Sequence, residues 1–375
     1  MKRNFLFPLV AVFFIAFILY SCRKDQLPCN CNPENISASV SVFATGLNNP
    51  RGLKFGPDGY LYVAEGGIGG TGTTTGCMQV IPPVGPYTGS KTGARISRIN
   101  KTGTRSTFVD DLPSSQTALG EISGVADVAF IDNTLYAVLA GAGCSHGVPS
   151  IPNAVIKINH DRSWKIIADL SAYQMAHPVK NPEPGDFEPD GSWYSMINVG
   201  DNLYAMEPNH GELDKITEKG AISRVSDISA SQGHVVPTAM VFHNGNFYAG
   251  NLSTFPIMGK SSIYKITPSG NVSVVATGFS TVLGLAFDKL GGLYVLENTT
   301  GNPFPTPGTG DIIRIDPNGS RLTVVKGLNL PTGMIFGADD KLYVSNWGFG
   351  PPAIGGGQVL KIEITCSNTW ESKKQ

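Results

Sequence analysis

The chain has 375 residues, of which 41% are hydrophobic and 15% charged, with 45 Gly and 26 Pro. That apolar content supplies a large core and excludes a disordered chain, while the Gly and Pro content points to many tight turns and an all-β fold. A formal net charge of −1 without a long basic run excludes the electrostatic footprint that a nucleic-acid backbone requires.

In chain order, Lys2 and Arg3 precede an apolar run of 16 residues from Phe5 to Tyr20, short for a bilayer span and typical of a signal peptide over 1–21. Its end, Leu19-Tyr20-Ser21-Cys22, resembles the lipobox of bacterial lipoproteins. The resemblance implies a lipidated Cys22 and a tether over 22–36. Arg23, in place of the Asp that retains lipoproteins at an inner membrane, implies an outer-membrane protein, periplasmic or surface-facing. Cys29, Cys31, Cys77, Cys144 and Cys366 remain in the exported body, where disulfides persist.

From residue 37 to 364 the chain repeats. A turn followed by Leu or Phe and then Tyr recurs six times, at Tyr62, Tyr136, Tyr204, Tyr248, Tyr294 and Tyr343. Each copy is followed by an apolar strand carrying Lys or Arg, or Ser-Arg in the first copy, such as Ile263-Tyr264-Lys265-Ile266. The tyrosines are 74, 68, 44, 46 and 49 residues apart, and the last three intervals match one four-stranded propeller blade. The spacing predicts a six-bladed β-propeller of antiparallel blades, with insertions in the first two. The last unit has three strands before the tail at 365–375, and Ser39 to Gly46 repeats the pattern of the outer strand Ser273 to Gly278. The N-terminal strand is therefore expected to close the last blade, bringing Cys366 towards Cys29 or Cys31.

Antiparallel order places the loops after the Tyr strands and those leading into each inner strand on one face, and the long insertions all fall there. The residues ending the Tyr strands on that face are Glu65, Leu139, Glu207, Asn251, Glu297 and Asn346. Carboxylates and amides converging on the axis are the ligands that Ca²⁺ prefers, with Glu65, Glu207, Asn251 and Glu297 as the metal candidates. The alternative is that each bonds backbone in its own blade. Arg51, Thr238 and Thr332 follow prolines at inner-strand starts and are expected at the axial mouth. His146, His210 and His234 lie in loops of the same face, as general bases or as loop packing. The acidic run Glu183, Asp186, Glu188 and Asp190 reads as a solvated loop or a cation site. Cys77 and Cys144, in neighbouring insertions, are placed to form a disulfide. Metal-type Cys/His spacing, phosphate-binding glycine motifs and nucleophile elbows do not occur.

With the repeats identified, the chain resembles the ScyD/ScyE family, exported six-bladed propellers related to NHL-repeat proteins. The carrying segments are Val236-Pro237-Thr238, Tyr248 to Pro256, Ala276-Thr277-Gly278-Phe279, Leu293 to Glu297 and Leu330-Pro331-Thr332-Gly333. In blade three the chain departs from that pattern, with Met206-Glu207-Pro208-Asn209-His210 where members carry Asp after the strand. The resemblance implies the fold and no single reaction. The expected function is a monomeric, membrane-tethered binding or interaction module holding a small molecule, glycan or protein on the elaborated face. The alternative is a Ca²⁺-dependent hydrolase or lactonase, and a quinone-dependent sugar dehydrogenase is a third.

Overall fold

The computed structural model describes residues 36–366 apart from 185–187, 255–256 and 350–354. Short apolar strands alternate with Gly, Asn and Asp turns, so each repeat folds back on itself as an antiparallel meander. Blade one comprises Pro50–Phe55, Leu61–Glu65, Thr88–Ile99 and Arg105–Gln116, and blade two comprises Val125–Ile131, Thr134–Leu139, Ala154–Ile158 and Trp164–Asp169. Blade three runs Ser195–Val199, Asn202–Glu207, Glu212–Thr217 and Ile222–Asp227, and blade four Pro237–His243, Asn246–Asn251, Ser261–Ile266 and Val272–Phe279. Blade five runs Val282–Phe287, Leu293–Glu297, Gly310–Ile315 and Arg321–Leu328.

Blade six contributes Gly333–Phe336, Leu342–Asn346 and Gly357–Cys366, and its outer strand is the N-terminal segment Ile36–Leu47. The register of that closure pairs Ala38 with Ile364, Val40 with Ile362 and Val42 with Leu360. Blade one exceeds the expected four strands by a short fifth, Ile122–Ser123, which pairs with Ser115 and Gln116. The first strand of each blade packs against the first strands of both neighbours, closing a ring of six around the axis.

Three second strands, Leu61–Glu65, Leu293–Glu297 and Leu342–Asn346, are buried along their length and the other three over most of it, because both faces of a blade meet neighbouring blades. The core is accordingly divided into six apolar clusters, one per junction. Tyr136, Val155, Met196 and Leu203 join blades two and three, and Leu47, Val359, Leu53 and Leu61 join blade six to blade one. Among the described residues no helix is long and apolar enough to cross a membrane. The strand Gly357–Cys366 takes in the first two residues of the expected tail, and Cys29, Cys31, the lipobox and residues 367–375 lie outside the described residues, so the expected pairing of Cys366 does too.

Candidate functional site

The polar residues that end the second strands hold the corners of their own blades. Each lead-in loop must turn the chain from an outer strand towards the axis, and in four blades it does so through a left-handed non-glycine residue: Asn49, Val236, Thr281 and Leu330, with φ between 45° and 54°. Such a conformation is strained for L-residues, above all for Val and Thr, and persists only when its surroundings fix it. The residue just before each corner is the one held. Glu65 accepts from the Asn48 N–H at 2.6 Å, Glu297 from the Ser280 N–H at 2.5 Å and Asn346 from the Asn329 N–H at 2.9 Å, while Asn251 donates to the Val235 carbonyl at 2.6 Å. Glu207 does the same in blade three, accepting from the Ser192 N–H at 2.9 Å. Leu139 has no polar atom for this role.

Further bonds tie these groups to their own blades. Glu65 also takes bonds from Arg95 and Ser97, and Glu207 takes the backbone N–H of His210. Burial pushes the Glu297 carboxyl up to about 7. It opposes ionisation of Glu207 as well, but the facing His210 and the N–H donors outweigh it and hold that carboxyl below its ordinary value. Each of the five is thus engaged by the backbone of its own lead-in segment. Among the described residues no group of three or more His, Cys, Asp or Glu is placed to hold a metal ion. The carboxylates among the donors expected for Ca²⁺ are each committed to backbone or side-chain donors of their own loops instead.

Long insertions raise one sector of the elaborated face. Cys77 and Cys144 are joined in a disulfide with Cα atoms 5.8 Å apart, tying the blade-one insertion to that of blade two. Beneath it, Glu188 and Asp190 depart from the solvated loop expected of the acidic run. They are 5% and 7% exposed, because the insertions and the helix Leu170–Ala176 cover them. Tyr87 donates to Glu188 at 2.8 Å and Ser145 to Asp190 at 2.6 Å. His146 is fully buried against Tyr87, and burial drives its imidazole down to about 4, so it stays neutral. His210 is buried, and His234 half-buried ahead of blade four. Glu183 is exposed, and Asp186 lies outside the described residues.

On the axis, the inner strands enclose a channel of about 270 Å³ lined by Lys54, Asp127, Tyr194, Ser195, Thr332 and apolar neighbours. Thr332 and Thr238 stitch blades together there, donating to the Pro50 and Val282 carbonyls at 2.6 and 2.5 Å. Arg51 lies buried beside the channel, only 8% exposed. Its guanidinium donates to the Ile122 carbonyl, lies 5.3 Å from the centre of the Phe349 ring, and faces Tyr194 and the partly buried Glu121. Tyr194 in turn donates to the Thr332 carbonyl at 2.8 Å.

Deeper in the channel, Asp127 bridges blades two and three. Its carboxylate accepts the N–H of Val128 at 2.8 Å and of Met196 at 2.9 Å. Burial nevertheless raises it to about 7, against those bonds and the attraction of Lys54, whose ammonium burial lowers. A carboxyl poised near neutrality beside an amine in a cleft is the kind of group that marks functional sites. Of these groups only Arg51, Thr238 and Thr332 were singled out in the sequence. The signal for Asp127 was present as a lone charge inside the apolar strand Val125-Ala126-Asp127-Val128-Ala129-Phe130. Near the turns of the opposite face, a cavity of about 310 Å³, lined by Phe287, Leu290, Tyr294, Phe336 and Ile364, lies between blades five and six.

No family model matches the chain, and no curated protein does. Solved structures do resemble it. A gluconolactonase of Xanthomonas campestris superposes with a TM-score of 0.55 at 10% identity, covering 88% of this chain and 90% of that one. A Bacteroides thetaiotaomicron protein of unknown function gives 0.56 at 11% identity, covering 88% and 76%. A Thermus thermophilus protein assigned as a glucose dehydrogenase gives 0.55 at 18% identity, covering 87% and 100%. At such identity the likeness concerns architecture alone: this chain shares the propeller fold of these structures.

Proposed function

We propose that the protein is an exported, lipid-anchored propeller of the ScyD/ScyE type that binds a small sugar-derived acid or lactone at the axial mouth. The observation that carries the reading is Arg51, a guanidinium held by the Ile122 carbonyl and Tyr194, which lines the channel, and backed by Phe349. A planar cation presented from a low-dielectric wall is suited to a carboxylate or a polarised carbonyl oxygen. The propeller likeness to a gluconolactonase and to a protein assigned as a glucose dehydrogenase selects the probes. Export is supported by the Cys77–Cys144 disulfide, which belongs to an oxidising compartment, and anchoring by Cys22. Calorimetry with gluconate and glucono-lactone is expected to show binding that Arg51→Gln weakens about ten- to a hundredfold, the loss of one charge-assisted hydrogen bond. Equal affinity in the variant, or no binding of either probe by the native protein, contradicts the reading.

Lactone hydrolysis is the second reading, and Asp127 favours it. A carboxylate titrating at about 7 suits a general base that takes a proton from water as the oxygen adds to a lactone carbonyl. Ring opening then expels the alkoxide, which regains the proton, and the product is the hydroxy acid. Acid release from glucono-lactone, above the spontaneous rate, is expected to rise as pH passes through about 7 and to fall by about 10²–10⁴ in Asp127→Asn. A rate equal to the spontaneous one at every pH leaves binding alone.

A further inference from the structure

The axial channel holds a second reactive group, an amine that neither lactone binding nor lactone hydrolysis uses. Among the described residues Lys54 is the one lysine that lines it, and the pleat of the inner strand Pro50–Phe55 sets its direction. Leu53 and Phe55 point towards blade six, where they pack with Val359 and Tyr343. Gly52 and Lys54 therefore point the other way, towards blade two. Two contacts fix this. A Cβ added at Gly52 would fall on the Asp127 carboxyl, and Tyr62, directly opposite Lys54 in the ladder, packs edge-on against Phe130 of blade two with ring centres 5.1 Å apart.

Lys54 also differs in its surroundings. Lys361 pairs with Asp339 and Lys341 with Glu363, while Lys101 and Lys165 stand exposed. The Lys54 side chain is half-buried, and among the described residues its amine makes no hydrogen bond and no ion pair. Asp127 attracts it through space, but burial outweighs that attraction and lowers the amine from its ordinary value. A desolvated lysine facing a cavity is a nucleophile rather than a fixed charge. The rest of the wall suits hydroxyl groups. Tyr194 donates to the Thr332 carbonyl at 2.8 Å and Ser195 to the Thr238 carbonyl at 2.7 Å, so both oxygens have committed their protons and can only accept.

We propose that Lys54 captures a small hydroxyaldehyde, an aldose in its open-chain form, as a protonated imine on the propeller axis. The amine nitrogen adds to the aldehyde carbon, and a C=N bond replaces the C=O bond. The carbonyl oxygen leaves as water, with one proton from the amine and one from the medium. The product carries one positive charge, and Asp127 is the carboxylate that shares the channel with it. Hydroxyls of the captured chain donate to Tyr194 and Ser195. Addition of water reverses the step and releases the aldehyde unchanged. Capture requires nothing of Arg51, so a protein that ignores gluconate can still carry the adduct.

Reductive trapping is the test. The native protein is incubated with glyceraldehyde and cyanoborohydride at neutral pH, which fixes the imine as a secondary amine, and the modified lysines are located by peptide mass spectrometry. Lys54 is expected to be labelled about tenfold faster than the exposed Lys101 and Lys165. Propanal, which has the carbonyl and lacks the hydroxyls, is expected to lose most of that preference. Labelling of Lys54 no faster than that of Lys101 and Lys165 overturns the proposal. An equal preference for Lys54 with propanal overturns the assignment to hydroxyaldehydes.

Discussion

A chain lacking residues 1–47 is expected to lose cooperative folding. Its absence strips the outer strand from blade six, exposing the edge of Gly357–Cys366 and removing the buried Ala44 and Leu47 from the junction with blade one. Leu47 is fully buried, and nine residue pairs of ladder go with it. Against a total stability on the order of 5–15 kcal/mol, losing one strand and opening the ring is a large fraction of the whole. An unpaired edge also invites association. Circular dichroism during urea unfolding is the measurement, and a broad transition with a lower midpoint and soluble oligomers is the expected outcome. A sharp transition at the native midpoint would show that the ring closes without this strand.

Gly52→Ala is expected to have the second-largest effect. A Cβ at Gly52 falls 1.9 Å from Asp127 Oδ1 and 2.3 Å from its carboxyl carbon, so the aspartate must move. Movement breaks its bonds to the N–H groups of Val128 and Met196, leaving strand donors of blades two and three unmet. Overpacking and a buried unsatisfied group together cost roughly 3 kcal/mol. Thermal unfolding of Gly52→Ala, Asp127→Ser and the double variant separates the two contributions. The double variant is expected to be more stable than the sum of the single losses predicts, because the serine vacates the space that the new methyl occupies. Strict additivity would mean that the two residues do not meet.

The fold was legible because propeller blades repeat. The Tyr motif marks each second strand, and the likeness of Ser39–Gly46 to Ser273–Gly278 reveals which blade the N-terminus completes. The Cys77–Cys144 bond followed from placing both residues on neighbouring insertions. What the sequence does not reveal is where a side chain turns at the end of a strand. Glu65, Glu207, Asn251, Glu297 and Asn346 occupy equivalent positions, which reads equally as a ring of ligands or as a repeated corner bond. Only the left-handed residues at Asn49, Val236, Thr281 and Leu330 explain why a polar atom is needed there. Glu188 and Asp190 read as solvated because their cover comes from distant insertions and a short helix. Asp127 and Lys54 meet only because inner strands of different blades converge on the axis, a contact that no local pattern encodes.

The central claim is that ligand is held on the axis at Arg51. Hydrogen-exchange footprinting of the native protein with saturating gluconate tests it most directly. The account predicts added protection in residues 50–54, 121–128, 194–196 and 332–333, with the rim around Cys77 and Cys144 unchanged. Protection confined to that rim, or to the cavity between blades five and six, would contradict it.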